Sequence, residues 1–148
     1  MNPLIELLPW ESARTLVAPV RFRVFVQEQN VPAEIEIDAM DPLCVHALAR
    51  GVDGRVIGTG RLLPSAMEQG RPTAHIGRMA VLAEHRGQGV GAQLLSALSD
   101  AARRRGDLQV ALSAQVHALA FYQRFGFLPE GPEYMDAGIP HRAMRKTL

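Results

Sequence analysis

The chain predicts a single mixed α/β domain. Strand-like runs alternate with helix-like ones, hairpin signals stand toward both ends, and a glycine-rich turn joins an apolar run to a long amphipathic one. With 148 residues, 47% of them apolar, the chain has the size of one domain that buries its own core, so residues 1–148 are read as one unit.

Each element has a local reason. The apolar run Leu4 to Leu8 reads as a first strand. A helix is expected from about Glu11 toward Gln29, kinked or interrupted at Pro19, because a proline inside a helix removes a hydrogen bond. Asn30, Pro32 and the acidic run Glu34 to Asp41 read as a loop with one helical turn. Cys44 to Ala49 and Arg55 to Leu63 have strand character, and the Asp53-Gly54 between them is a hairpin signal. A mobile, polar connection around Pro64 to Pro72 leads to a strand from His75 to Leu82. Beyond the glycine turn a helix is expected over Ala92 to Arg105. Val90, Leu94, Leu95, Leu98, Ala101 and Ala102 recur at three- and four-residue spacing, forming one stripe for a sheet while Gln93, Asp100 and Arg104 face water. A strand over 108–114, a helix over 115–125 and an antiparallel pair, 127–134 with 141–146, complete the sheet.

Composition removes several classes of function. The formal net charge of +1 leaves no nucleic-acid footprint, and the basic cluster Arg103-Arg104-Arg105 suits a helix C-terminus closed by Gly106. One cysteine, Cys44, excludes an intrachain disulfide and a multi-cysteine zinc site, and no metal is expected. No apolar run reaches the length of a membrane span and the N-terminus lacks a signal-type pattern, so no membrane association and a cytoplasmic, reducing location are expected.

The segment Arg86-Gly87-Gln88-Gly89-Val90-Gly91 is a strand-to-helix turn suited to holding phosphate, since free N–H groups of a helix start point outward at the positive end of its dipole. A P-loop is excluded because no Lys follows these glycines. Gly87, Gly89 and Ala92 nominally meet the dinucleotide fingerprint, but the next strand ends in Ser113-Ala114 without the required acid. A third pattern, Arg/Gln-x-x-Gly-x-Gly/Ala, fits Arg86, Gly89 and Gly91 and resembles the pyrophosphate loop of the GNAT superfamily of N-acetyltransferases; a purely structural helix cap is the alternative. Gln115 to Phe127 is similar to the superfamily's Asn-x-x-Ala-x-x-x-Tyr-x-x-x-Gly-Phe segment, with Gln115 where Asn is usual. Arg21 to Pro32, the acids Glu34, Glu36, Asp38 and Asp41 with His46, and the tail Ala137 to Met144 resemble the ElaA-like, or YjcF-like, subgroup.

The resemblance implies a GNAT-type, mostly antiparallel sheet flanked by helices, and acetyl-CoA as donor. It places backbone groups of Arg86, Gly87, Gln88, Gly89, Val90, Gly91 and Ala92 on the pyrophosphate with the Arg86 guanidinium beside them, and Met79, Ala80 and Val81 along the pantetheine arm. An N–H near Ala80 or Val81 would stabilise the oxyanion. Tyr122 matches the tyrosine that protonates the leaving thiolate, and Arg124 is a further candidate for a CoA phosphate. The general base is less defined: Glu36, as base or relay among the loop acids, and His46 are the candidates, each with a plain structural alternative. The expected reaction is direct acetyl transfer to the primary amine of a small molecule. The remaining readings are an acyl-homoserine lactone type of synthase, which Arg21 to Val26 also resembles, and an acetyl-CoA sensor without turnover; a homodimer is the assembly that relatives often show.

Overall fold

The computed structural model describes residues 2–148, Met1 lying outside them. An 8-stranded sheet runs in the order β1-β2-β3-β5-β6-β8-β7, with β4 paired to β5. Its strands are β1 (Leu4–Pro9), β2 (Val45–Arg50), β3 (Val56–Leu62), β4 (Ala66–Glu68), β5 (Arg71–Val81), β6 (Gln109–Gln115), β7 (Leu128–Asp136) and β8 (Ile139–Thr147). All pairings are antiparallel except β5 with β6. The helices are α1 (Trp10–Arg21), α2 (Ala33–Glu36), α3 (Val90–Arg104) and α4 (Leu119–Gln123).

Residue size decides which helix covers which face. Ala47 and Ala49 on β2 stand opposite Gly60 and Gly58 on β3, so that face is flat and α3 settles closely on it. A Cβ on Gly58 would lie 3.0 Å from Leu94 and 3.1 Å from Val90 of that helix. The other face presents Leu48, which packs with Ala13 and Val17 of α1. Of the expected α3 stripe, Val90, Leu94, Leu95, Leu98 and Ala102 are buried, and Ala101 is half-buried at its margin.

Three elements depart from expectation. The long N-terminal helix is α-helical only to Arg21, and Phe22–Glu28 continue as a π-helix. Pro19 supplies no N–H to the ladder, and wide turns of this kind recur at functional sites. The connection expected to be mobile contains β4, folded onto β5 with Ala66 opposite Thr73. Its turn has Gln69 and Gly70 at φ 55° and 73°, the paired positive angles of a tight hairpin, so β5 begins at Arg71. In place of a helix over 115–125, Gln115 ends β6, Val116–Ala118 form a tight 3₁₀ turn, and α4 spans only Leu119–Gln123.

Most consequential for function is β5. Thr59 of β3 faces Ala80 and Arg61 faces Gly77, so Arg78 and Met79 together oppose Gly60: a β-bulge. Arg78 there adopts φ 51°, a left-handed conformation that costs a residue with a Cβ about 1–2 kcal/mol. Parallel pairing with β6 stops at His75 opposite Ala111, and beyond it the two strands part. Gly60 makes room for the bulged Met79, since an added Cβ would lie 2.5 Å from Met79 Sδ and 2.9 Å from Leu98 Cδ1. Gly60→Ala should therefore destabilise the domain by about 1–3 kcal/mol through overpacking, read as a lower urea midpoint at unchanged slope.

Candidate active site

The parted strands open a cleft of about 1190 Å³, larger than a typical small-ligand pocket. One wall is β5 from Ile76 to Val81, one end is the glycine loop, and the far side carries Ser113, Gln115, Tyr122 and His141. Leu82 N–H donates to Ile57 O of β3. By strand alternation the N–H and C=O of Val81 then point into the cleft, and Val81 O accepts Arg86 Nε at 2.9 Å. Ala80 stands opposite Thr59 and turns its backbone toward β3, so Val81 rather than Ala80 offers the free amide expected here.

At the loop, Gly87 and Gly89 have φ 76° and 83°, and α3 starts at Val90. A Cβ at either glycine would meet nothing, so conformation and not crowding requires them. Gly91 differs: its φ is ordinary, and an added Cβ would lie 3.4 Å from the Phe121 ring. The first-turn N–H groups of α3 have no intrahelical acceptor, and Val90, Gly91 and Ala92 line the cleft. Gln88 is exposed and stands outside that wall. The Arg86 guanidinium is not free: Nη1 and Nη2 donate to the Glu28 carboxylate at 3.0 and 2.9 Å. That pair is solvent-exposed and worth about 0–1 kcal/mol, so an incoming polyanion displaces it readily. Arg124 is an exposed residue of the rim.

Tyr122 packs edge-on against Phe121 and Phe127, with ring centroids 5.0 and 5.9 Å away. Burial pushes its phenol up to about 12, so it is protonated throughout the working pH range.

Two expected bases are corrected by their surroundings. Glu36 is 5% exposed and accepts from Arg21 Nη2 at 2.7 Å and from Arg78 Nε at 3.1 Å. A carboxylate held between two guanidinium groups is not available to take an amine's proton. His46 lies under Trp10, with ring centroids 4.8 Å apart, outside the cleft wall, and Nε2–H donates to Asp41 O at 2.9 Å. Burial pushes its pKa down. Of the remaining acids, Glu34 is exposed, whereas Asp41 is fully buried.

Asp41 instead centres an ion network, on a segment whose sequence reads only as an acidic loop. Arg21 Nη1 and Arg61 Nη1 donate to its Oδ1 at 2.7 and 2.9 Å, Arg61 also holds Asp38, and Arg78 bridges Glu36 and Asp38. Arg21, Arg61 and Arg78 balance Glu36, Asp38 and Asp41. Burial alone would raise Asp41, but hydrogen bonds from Arg21 and the Asp38 N–H lower it to about 2, and the hydrogen bond from Arg61 lowers Asp38. These depressed values mean stability present at neutral pH and lost on acidification: first below about 6.5 as His46 protonates, then from about 4 down toward 2 as the aspartates do. Urea midpoints should fall across those windows. Arg21→Met, which strands buried carboxylates, should cost about 3–5 kcal/mol at pH 7.

Comparison with known proteins agrees with this geometry. Residues 18–148 match the family model described as an acetyltransferase (GNAT) domain. A Bacillus subtilis protein, YjcF, described as an uncharacterized N-acetyltransferase, is 40% identical over 129 residues, 86% of this chain and 87% of its own. Among solved structures, an acyl-CoA N-acyltransferase from Pseudomonas aeruginosa superposes with a TM-score of 0.84 at 32% identity, covering 98% of this chain and 99% of that one. Escherichia coli ElaA superposes with a TM-score of 0.82 at 33% identity, covering 97% and 99%. The chain is therefore an acyltransferase and belongs to the GNAT family, in its YjcF- and ElaA-like branch.

Proposed function

We propose that the protein transfers an acetyl group from acetyl-CoA directly to the primary amine of a small molecule. The observation that carries this reading is the coincidence in one cleft of a helix N-terminus behind positive-φ glycines, the unpaired edge of β5, and Tyr122. The three match the three parts of the donor. Amides of Val90, Gly91 and Ala92, aided by Arg86 once it leaves Glu28, hold the pyrophosphate. The β5 edge from Met79 to Val81 pairs with the amide-bearing pantetheine arm as a missing strand would. The Val81 N–H donates to the acetyl oxygen as negative charge develops there, and Tyr122 supplies the proton for the departing sulfur.

Asp136 on the cleft wall gives it a carboxylate suited to a cationic amine. A small molecule fits better than a protein tail, because the acceptor end is walled by Phe25, Ile35 and the β7–β8 hairpin. The balanced overall charge and the ion pairs that hold many of the arginines match a partner other than nucleic acid.

Isothermal titration with acetyl-CoA, with NADH and ATP as controls, should show binding to acetyl-CoA alone. Gly89→Glu, which places a carboxylate beside the pyrophosphate at a position of φ 83°, should abolish that binding; unchanged affinity would sink the loop assignment. Tyr122→Phe should leave acetyl-CoA affinity intact and lower kcat by about 10²–10⁴-fold, and an unaltered kcat would remove Tyr122 from the proton path.

A further inference from the structure

With Glu36 and His46 committed to structure, the cleft still needs a group to accept the amine's proton, because an aliphatic amine that attacks a thioester must lose one. We propose that His141 is this general base, its Nε2 taking the proton as the amine nitrogen bonds to the acetyl carbon; this rests on the acetyl-transfer reading above.

His141 lies on β8, directly opposite Gln115 of β6 and Tyr134 of β7, and it lines the cleft. Its Nδ1 lies 2.7 Å from Ile139 O. A carbonyl oxygen only accepts, so Nδ1 carries the hydrogen and the neutral ring has its lone pair on Nε2. The ring is stacked on Tyr134, with centroids 6.0 Å apart and planes at 24°, while the Tyr134 hydroxyl is itself tied to Ser113 Oγ. Tautomer and ring plane are thus both set by the protein. At 9% exposure the imidazole is almost enclosed, and its accessible surface belongs to the cleft wall.

The other basic groups of the wall are less suited. Glu28 faces Arg86 beside the glycine loop and His85 sits in the turn before that loop, so both stand at the phosphate end of the cleft. His117 is exposed, with Nε2 bonded to Gln115 Oε1 at 2.5 Å, and Asp136 is exposed at the hairpin turn. Around His141 itself, β6 presents the uncharged Ser113 and Gln115, β7 presents Tyr134, and the turn before α4 presents His117. On its own strand Arg142 donates to Gly131 O, and across the cleft Arg78 and Glu36 are paired.

The chemistry balances. The amine lone pair forms the N–C bond while the carbonyl π pair moves to oxygen, and the N–H proton passes to His141 Nε2. The oxygen pair returns, the C–S bond breaks with its pair on sulfur, and sulfur takes the Tyr122 proton. His141 then gives its proton to water and Tyr122 regains one from water, leaving amide and thiol as products.

The test follows thiol release from acetyl-CoA with propylamine, benzylamine and spermidine across pH, alongside acetyl-CoA titration and thermal melting. His141→Gln is expected to bind acetyl-CoA as the parent does, to lose about 10²-fold or more in kcat/KM, and to lose the acidic limb of its pH profile. Added imidazole is expected to restore part of the rate of His141→Gly, an effect that a purely structural role would not produce. A retained rate and limb in His141→Gln, absence of imidazole rescue, or loss of the limb in His117→Gln instead overturns the proposal. So does a parent protein that binds acetyl-CoA yet acetylates no amine of the panel, whereas failure to bind acetyl-CoA overturns the functional reading beneath it.

Discussion

The buried ion network around Asp41 is the constraint on which the rest of the structure depends. Arg21 comes from the end of α1, Glu36 from α2, Asp38 and Asp41 from the loop before β2, Arg61 from β3 and Arg78 from the bulge of β5. Enclosing so many charges gains little net stability, because desolvation offsets most of the Coulomb attraction. Its effect is positional. Arg78 holds a left-handed backbone angle that β5 would not adopt unaided, and its guanidinium spends its hydrogen bonds on Glu36 and Asp38. The network thereby fixes the bulge that accompanies the parting of β5 from β6. Trp10 adds to it, with the Arg21 guanidinium 5.7 Å from its ring centroid and His46 beneath.

The parting of those strands leaves polar backbone without a partner, a condition that proteins tolerate only where water or a ligand supplies one. In this fold the unsatisfied edge leads straight to the equally unsatisfied N-terminus of α3. A donor with amides along its arm and a pyrophosphate at its end satisfies both. In the proposed reading, backbone geometry therefore carries most of the donor site, which is why the residues assigned to it have so little side-chain chemistry: Val81, Gly87, Gly89 and Gly91 would act through conformation and size. The end of the cleft proposed for the acceptor is the opposite, lined by side chains of the π-helix, of β6 and of the β7–β8 hairpin.

That division explains what could be read from sequence. The glycine turn, the amphipathic α3 and Tyr122 are local patterns, each contained in a few consecutive residues, and the fold brings the turn, the start of α3 and Tyr122 to one cleft. An acid in a loop gives no local sign that Arg21 and Arg78 will close on it, as they do on Glu36, and a histidine in a strand gives none that Trp10 will cover it, as it does His46. β4 was missed because Ala66–Glu68 is too short for any period, and only Gln69-Gly70 hinted at a turn. The π-helix has no signature beyond the Pro19 before it. The fitness of His141 for the proposed base role comes from cross-strand neighbours, Tyr134 and Gln115, and from a carbonyl two residues back. For Glu36, His46 and the neighbours of His141 the missing information is pairing between distant segments, which periodicity and spacing do not encode; for β4 and the π-helix it is a short local geometry with no period of its own.

The central claim is that the open edge of β5 and the start of α3 form one continuous donor site. Backbone amide spectra of the labelled protein, recorded during titration with acetyl-CoA, test it most directly. Large shifts are expected at Val81 and from Gly87 through Ala92, with smaller ones at Glu28 as Arg86 leaves it. Binding that leaves Val81 and these loop amides unmoved, or that shifts a different surface, would contradict the claim.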